Sequence, residues 1–220
     1  MAGLTYYLKN ANQTLASGNC MMLSNTSAST LSTLCNWQVT TTPPVGYSAG
    51  MVANATQAFG NFTAADALTP ASLTTAADFQ KCWRTDTPLV GVVDPGVWSI
   101  GMAFKCSIVR GAQGRIGVRL WKSATADGGT PVELTSGVLL GTIFTLNNST
   151  LNASSLTWTA PASIVFNNEY LWLQCEWIVT TVATGAVNVT AWIDAATSVV
   201  TSPNFGPLPS VSSPSAMFMM

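Results

Sequence analysis

Val97-Trp98-Ser99-Ile100-Gly101-Met102-Ala103-Phe104-Lys105 is the stretch whose reading decides the fold. Trp98, Ile100, Met102 and Phe104 alternate with small or polar residues, the period of two that puts every second side chain on one face of a half-buried strand. Arg115 to Lys122 repeats the pattern, with Ile116, Val118 and Leu120 on one face and Arg115, Arg119 and Trp121 on the other. Outward from these two segments, strands are expected at Val138 to Thr145, Ser155 to Thr159, Glu169 to Thr180 and Ala186 to Ile193. Asn147-Asn148, Asn167-Asn168 and Gly185 read as breaks between them, and Asp94-Pro95-Gly96 and Asp127-Gly128-Gly129 as turns. Many strands at this spacing, without a 3.6-residue period, predict an all-β, jelly-roll-like antiparallel β-sandwich.

Charge divides the chain into three parts. Residues 1–77 carry only Lys9 and Asp66, residues 78–194 carry every other charge, and residues 195–220 carry none. The middle part is expected to be the β-sandwich. Leu4 to Lys9, Cys20 to Ser24 and Leu34 to Thr40 read as short strands, and Phe79 to Arg84 as a strand entering the sandwich. Thr41 to Ala77 has too few large apolar residues for its own core and reads as an extended interface segment, with a short helix at Pro70 to Ala77. Ala195 to Met220 contains Pro203, Pro207, Pro209 and Pro214, which forbid a helix. It reads as a Pro-rich arm able to reach about 80 Å when extended, with Phe205, Leu208, Met217, Phe218 and Met219 as its contact residues. On that reading, deleting Ala195 to Met220 weakens assembly and leaves the sandwich folded.

Composition removes several function classes. Of 220 residues only 8% are charged, the net charge is -1 and 48% are hydrophobic, against about 25% charged in ordinary globular chains. Eight Lys+Arg against nine Asp+Glu cannot neutralise many phosphates, so no nucleic-acid partner is expected. The chain contains no histidine, which excludes a His-based triad and imidazole metal ligands. No window of about 18 consecutive apolar residues occurs, so no membrane helix is expected. The first residues lack the basic and apolar regions of a secretory signal. Five dispersed cysteines without a C-x-x-C pair read as free thiols in a reducing compartment, and the eight N-x-S/T triplets as chance in a Ser/Thr-rich chain. Asp86, Asp94 and Asp127 lie near turns without a calcium-loop spacing, and no Gly-rich phosphate loop is present. Neither metal nor cofactor is expected.

Carboxylate chemistry is the one enzymology these residues permit, through Glu176 with Asp194 as its nearest plausible partner. No paired-acid motif occurs, and an ion pair of Glu176 with Arg115 or Arg119 is the plainer reading, so no enzymatic activity is expected. A second candidate is the polar-aromatic face formed by Arg119, Trp121, Tyr170, Trp172, Gln174, Glu176 and Trp192. Flat rings among amides suit stacking on a surface polysaccharide; they equally suit a protein interface or, if both sheet faces are covered, the core.

Leu4-Thr5-Tyr6-Tyr7-Leu8-Lys9-Asn10, Asn19-Cys20-Met21-Met22-Leu23-Ser24, Trp98-Ser99-Ile100-Gly101, Val118-Arg119-Leu120-Trp121-Lys122 and Tyr170-Leu171-Trp172-Leu173-Gln174 together resemble the accessory virion proteins of tailed bacteriophages. The resemblance covers most of residues 1–194 and rests on strand patterns, not on a fingerprint. It implies a jelly-roll capsid decoration or cement protein, a homo-oligomer partnered by the major capsid protein or another virion protein, located in a virion assembled in the host cytoplasm. It supplies no catalytic residues. Related modules act as adhesins or fibres, the alternative that the polar-aromatic face would serve.

Overall fold

The computed structural model describes residues 2–15, 18–26, 32–39, 51–53, 82–106, 113–128, 130–145, 147, 149, 152–181, 187–193 and 198–209. The expected helix at Pro70 to Ala77, most of the Thr41 to Ala77 excursion and Met217, Phe218 and Met219 lie outside them. Among the described residues the protein is all-β with no helix. In chain order the strands are β1 (Gly3–Leu15), β2 (Gly18–Ser24), β3 (Ser32–Val39), β4 (Met51–Ala53), β5 (Cys82–Thr85), β6 (Leu89–Val93), β7 (Gly96–Cys106) and β8 (Gln113–Ser123). They continue as β9 (Val132–Glu133), β10 (Leu139–Leu140), β11 (Phe144–Thr145), β12 (Asn152–Ala160), β13 (Ile164–Thr181), β14 (Val187–Ile193) and β15 (Val199–Gly206).

The two deciding segments form the strands expected of them. Trp98, Ile100, Met102 and Phe104 of β7 are fully buried, as are Ile116, Val118 and Leu120 of β8. β7 pairs with β12 over the whole of Asn152–Ala160 without a register shift, and β8 pairs with β13 from Tyr170 onward. The inward residues of β7, β8, β12 and β13 form one apolar cluster. Trp98 is tilted against Trp158 at 6.2 Å between ring centroids, and Phe104 against Phe144 at the same spacing, the offset geometry that ring quadrupoles favour.

Tyr6 and Leu8 of β1, Leu23 of β2 and Val200 of β15 belong to the same cluster. Strands on either side of the expected boundaries at residues 77 and 194 therefore share one core. β15 departs most from expectation, because its residues read as part of a Pro-rich arm that docks on a neighbour. It pairs with β1 and β7 and, through Phe205 and Gly206, with β6. Phe205 packs on the core and Leu208 is half-buried. The reason is that Val199–Gly206 contains only Pro203, and proline is compatible with a strand wherever its missing N–H is not needed by the ladder. Deleting Ala195 to Met220 would thus remove a sheet strand, and cannot leave the sandwich intact.

β6 was not foreseen. It sits between β13 and β15, so that the pairings β13·β5·β2·β1·β15·β6·β13 close on themselves. β2 with β5 is the one parallel pair among those described; the rest are antiparallel. Gly91, at the middle of β6, has φ 155°, and a Cβ there would collide with the Gly206 carbonyl and the Phe205 ring. Glycine is what lets β15 lie this close.

Asn167-Asn168 is a bulge inside β13, not a break. Asn168 has φ 61°, and the register shifts between Asn167 and Glu169, which bends one long strand so that its first part pairs with β6 and its second with β8 and β5. The Glu169 carboxylate holds the bulge, its Oε2 accepting from Asn167 N at 3.1 Å and from Lys122 Nζ at 2.8 Å. Lys122 Nζ also donates to the Val165 carbonyl at 2.8 Å.

Candidate functional site

The register of three neighbouring strands assembles most of the polar-aromatic face. Trp172 of β13 lies opposite Arg84 of β5 on one side and Trp121 of β8 on the other, and Gln174 lies opposite Arg119. Leu171 and Leu173 point into the apolar core. Alternation therefore sends Tyr170, Trp172 and Gln174, with Arg84, Arg119 and Trp121, to the opposite face. Arg84 carries no signal in the sequence, because the short alternation Trp83-Arg84-Thr85 does not announce which strand β5 joins.

This face is closed to solvent. Trp172 is 0% exposed, Trp121 6%, and Arg84 and Arg119 7% each. The Arg84 guanidinium carbon stands 4.6 Å from the Tyr170 ring centroid and 5.8 Å from that of Trp172, and that of Arg119 stands 6.0 Å from the Trp121 ring. Arg84 Nε donates to the Thr85 carbonyl at 3.2 Å, and Nη1 donates to the Ala126 carbonyl in the loop after β8. Arg119 Nε lies 3.6 Å from Glu133 Oε1. Glu133 Oε1 also accepts from Gly137 N at 2.7 Å and from the Thr135 hydroxyl at 3.3 Å. Cations stacked on rings and tied to backbone carbonyls are the arrangement that lets a guanidinium be buried at tolerable cost. Trp121 Nε1, Trp172 Nε1 and Gln174 Oε1 are buried without a hydrogen-bond partner.

A sugar ring needs an open aromatic face, and Trp121 and Trp172 do not offer one. Tyr170 is half-buried beneath Arg84. Arg119 approaches Glu133, and the expected pairing of Glu176 with Arg115 or Arg119 falls on a side chain outside the described residues. Glu176 lies opposite Gly117 in the β8–β13 ladder, and its side chain is outside the described residues. Trp192 is placed by its backbone on β14, which pairs with β7 and β3; no pairing of β14 with β8 or β13 occurs among the described residues. The structure thus brings together Arg119, Trp121, Tyr170, Trp172 and Gln174, and separates Trp192 from their strands. Among the described residues no group of three or more Cys, Asp or Glu is arranged to hold a metal ion, and no helix is long and apolar enough to cross a membrane.

No family model and no curated protein sequence matches this chain. Its likeness is to solved structures. A CocE/NonD-family hydrolase from Staphylococcus aureus is 8% identical at a TM-score of 0.49, covering 93% of this chain and 36% of the hydrolase. An aminopeptidase from the marine sediment archaeon Thaumarchaeota archaeon is 8% identical at a TM-score of 0.45, covering 91% of this chain and 36% of the other. A structure of deformed wing virus, a honeybee pathogen, is 10% identical at a TM-score of 0.28, covering 95% of this chain and 52% of that one. The expectation of a chain without enzymatic activity is corrected by the first two, which are enzymes. This chain spans little more than a third of their length, and at these identities and TM-scores no residue, substrate or reaction passes from them to this chain.

Proposed function

We propose that this protein is a structural component of a virion, a capsid decoration or cement protein that joins a shell as an oligomer. The observation that carries the reading is how little charge its folded surface can present. The chain has eight Lys+Arg in all; Arg84 and Arg119 are buried, and Lys122 is held by Glu169 and the Val165 carbonyl. An exterior with few ions and abundant Ser and Thr loses little desolvation energy when covered, which suits lasting interfaces. The resemblance of the strand patterns to phage accessory virion proteins supports the same reading, with the major capsid protein or another virion protein as partner. The adhesin alternative would need open aromatic rings on this face, and Trp121 and Trp172 are buried.

Sedimentation velocity of the purified full-length chain across a salt series tests the proposal. Association through uncharged surfaces is insensitive to screening, so oligomers are expected at low and high salt alike. A monomer at every concentration and salt overturns the reading.

A further inference from the structure

We propose that β12 is the strand through which two copies of this chain join, each β12 pairing antiparallel with the other across a twofold axis. The inference deepens the reading of an assembling structural protein and rests on it for context, while its geometry stands alone.

β12 is an edge. Among the described residues it pairs only with β7, so one row of its N–H and C=O groups lies outside every described ladder. Such a row is a template for another strand, and proteins ordinarily guard it with lysine, proline or a bulge. β12 has none of these: Asn152–Ala160 carries no charge and no proline, and its ladder with β7 runs without a register shift. The stretch of chain that holds β12, residues 134–168, contains no charged side chain. Leu140 and Ile143, each 47% exposed, flank the edge within that segment.

Hollows lie beside the edge. Two adjoining hollows of about 450 and 280 Å³ run along β12 between it and the Leu140 to Phe144 segment, sharing Thr142 and Ser155. Asn152 and Ser154 line the larger, and Asn152 Nδ2 and Ser154 Oγ are buried there without a hydrogen-bond partner. A groove beside an unpaired strand edge, with polar groups unsatisfied, is the setting for strand addition.

The occupant is identified by self-complementarity. A strand entering this groove must be extended, and an uncharged wall gives a charged one nothing to pair with. The chain's own β12 meets both requirements. The antiparallel register that pairs all nine residues of Asn152–Ala160 centres on Leu156. It sets Ser155 against Thr157 of the second copy and Ala153 against Thr159. These are small, exposed residues whose cross-strand contact repels nothing.

The test places charge at that contact. In the full-length chain, Ser155→Lys with Thr157→Lys sets lysine against lysine twice across the twofold axis, and should raise the dimer dissociation constant on the order of tenfold. Added salt should partly restore it. Ser155→Lys with Thr157→Glu sets opposite charges in the same places and should stay within about threefold of the parent. Sedimentation equilibrium reads all three, with thermal unfolding confirming that each variant folds. If the Lys/Lys variant associates as tightly as the parent, or both variants weaken equally, β12 is not the joining strand, although an oligomeric structural protein stands. A monomeric parent overturns both.

Discussion

Replacing Arg84 separates an enclosed cation–π layer from an open binding face. In Arg84→Ala the Thr85 and Ala126 carbonyls lose their donors, each stranded acceptor costing about 1–3 kcal/mol. The stacking on Tyr170 and Trp172 adds about 0.5–2 kcal/mol. Against this, the mutant no longer has to desolvate a guanidinium, which costs several kcal/mol in the parent. The net expectation is a loss of about 3 kcal/mol for Arg84→Ala, and about half that for Arg84→Met, whose stem refills the space. Urea unfolding followed by tryptophan fluorescence reads this directly. With an m-value of about 2 kcal/mol/M, the Ala variant should move the midpoint down by about 1.5 M. A shift under about 0.5 M with unchanged m would mean that water already solvates the guanidinium, and the description of this face as closed would be wrong.

Gly91→Ala should cost about 2–3 kcal/mol, since the added carbon meets the Gly206 carbonyl and Phe205 ring at a φ of 155°; a thermal midpoint equal to the parent's would show that β6 and β15 are not in contact. At the β13 bulge, Asn168→Gly should leave stability within about 0.5 kcal/mol, while Asn168→Val should lose about 1–2 kcal/mol, and equal midpoints for the two would contradict the φ of 61°. Burial first, and the Asp86 carboxylate second, hold the Tyr6 phenol above the ordinary tyrosine value of 10.0. The folded state keeps that proton longer than the unfolded chain, so the stabilising contribution is complete below pH 10.0 and is lost as pH rises above it. Tyr6→Phe should flatten this alkaline loss, and a variant with the parent's pH slope would remove Tyr6 as its cause.

The strands were legible where alternation was strong and local. β7 and β8 carry four and three large apolar residues in strict alternation, at Trp98, Ile100, Met102 and Phe104 and at Ile116, Val118 and Leu120, and no other structure buries that pattern so completely. β6 was illegible because Leu89-Val90-Gly91-Val92-Val93 is short and holds a glycine that reads as a breaker. Its strand state is imposed by β13 and β15 on its two sides. β15 was misread for a related reason. Prolines argue locally against regular structure, but Val200 is held by β1 from the opposite end of the chain and Phe205 by β6 from its middle, and pairing at such sequence separations leaves no local trace.

The candidate face shows where parity stops being informative. Alternation placed Trp121, Tyr170, Trp172, Gln174 and Arg119 together, and the ladder between β8 and β13 agrees. What parity cannot say is whether a face opposite the core meets water. That depended on Arg84, from a strand distant in sequence, and on the loop carbonyl of Ala126 that fixes it. The edge at β12 is the reverse case: its exposed side chains are plain Ser, Thr and Ala, which carry no functional signal one by one. Its meaning lies in the absence of charge over residues 134–168 combined with one-sided pairing. The absence is visible in sequence, whereas the one-sidedness exists only once β7 has chosen its partners. An unguarded edge is therefore a property that a sequence permits and a fold creates, and in this protein the scarcity of ions that first set the chain apart acts most strongly there.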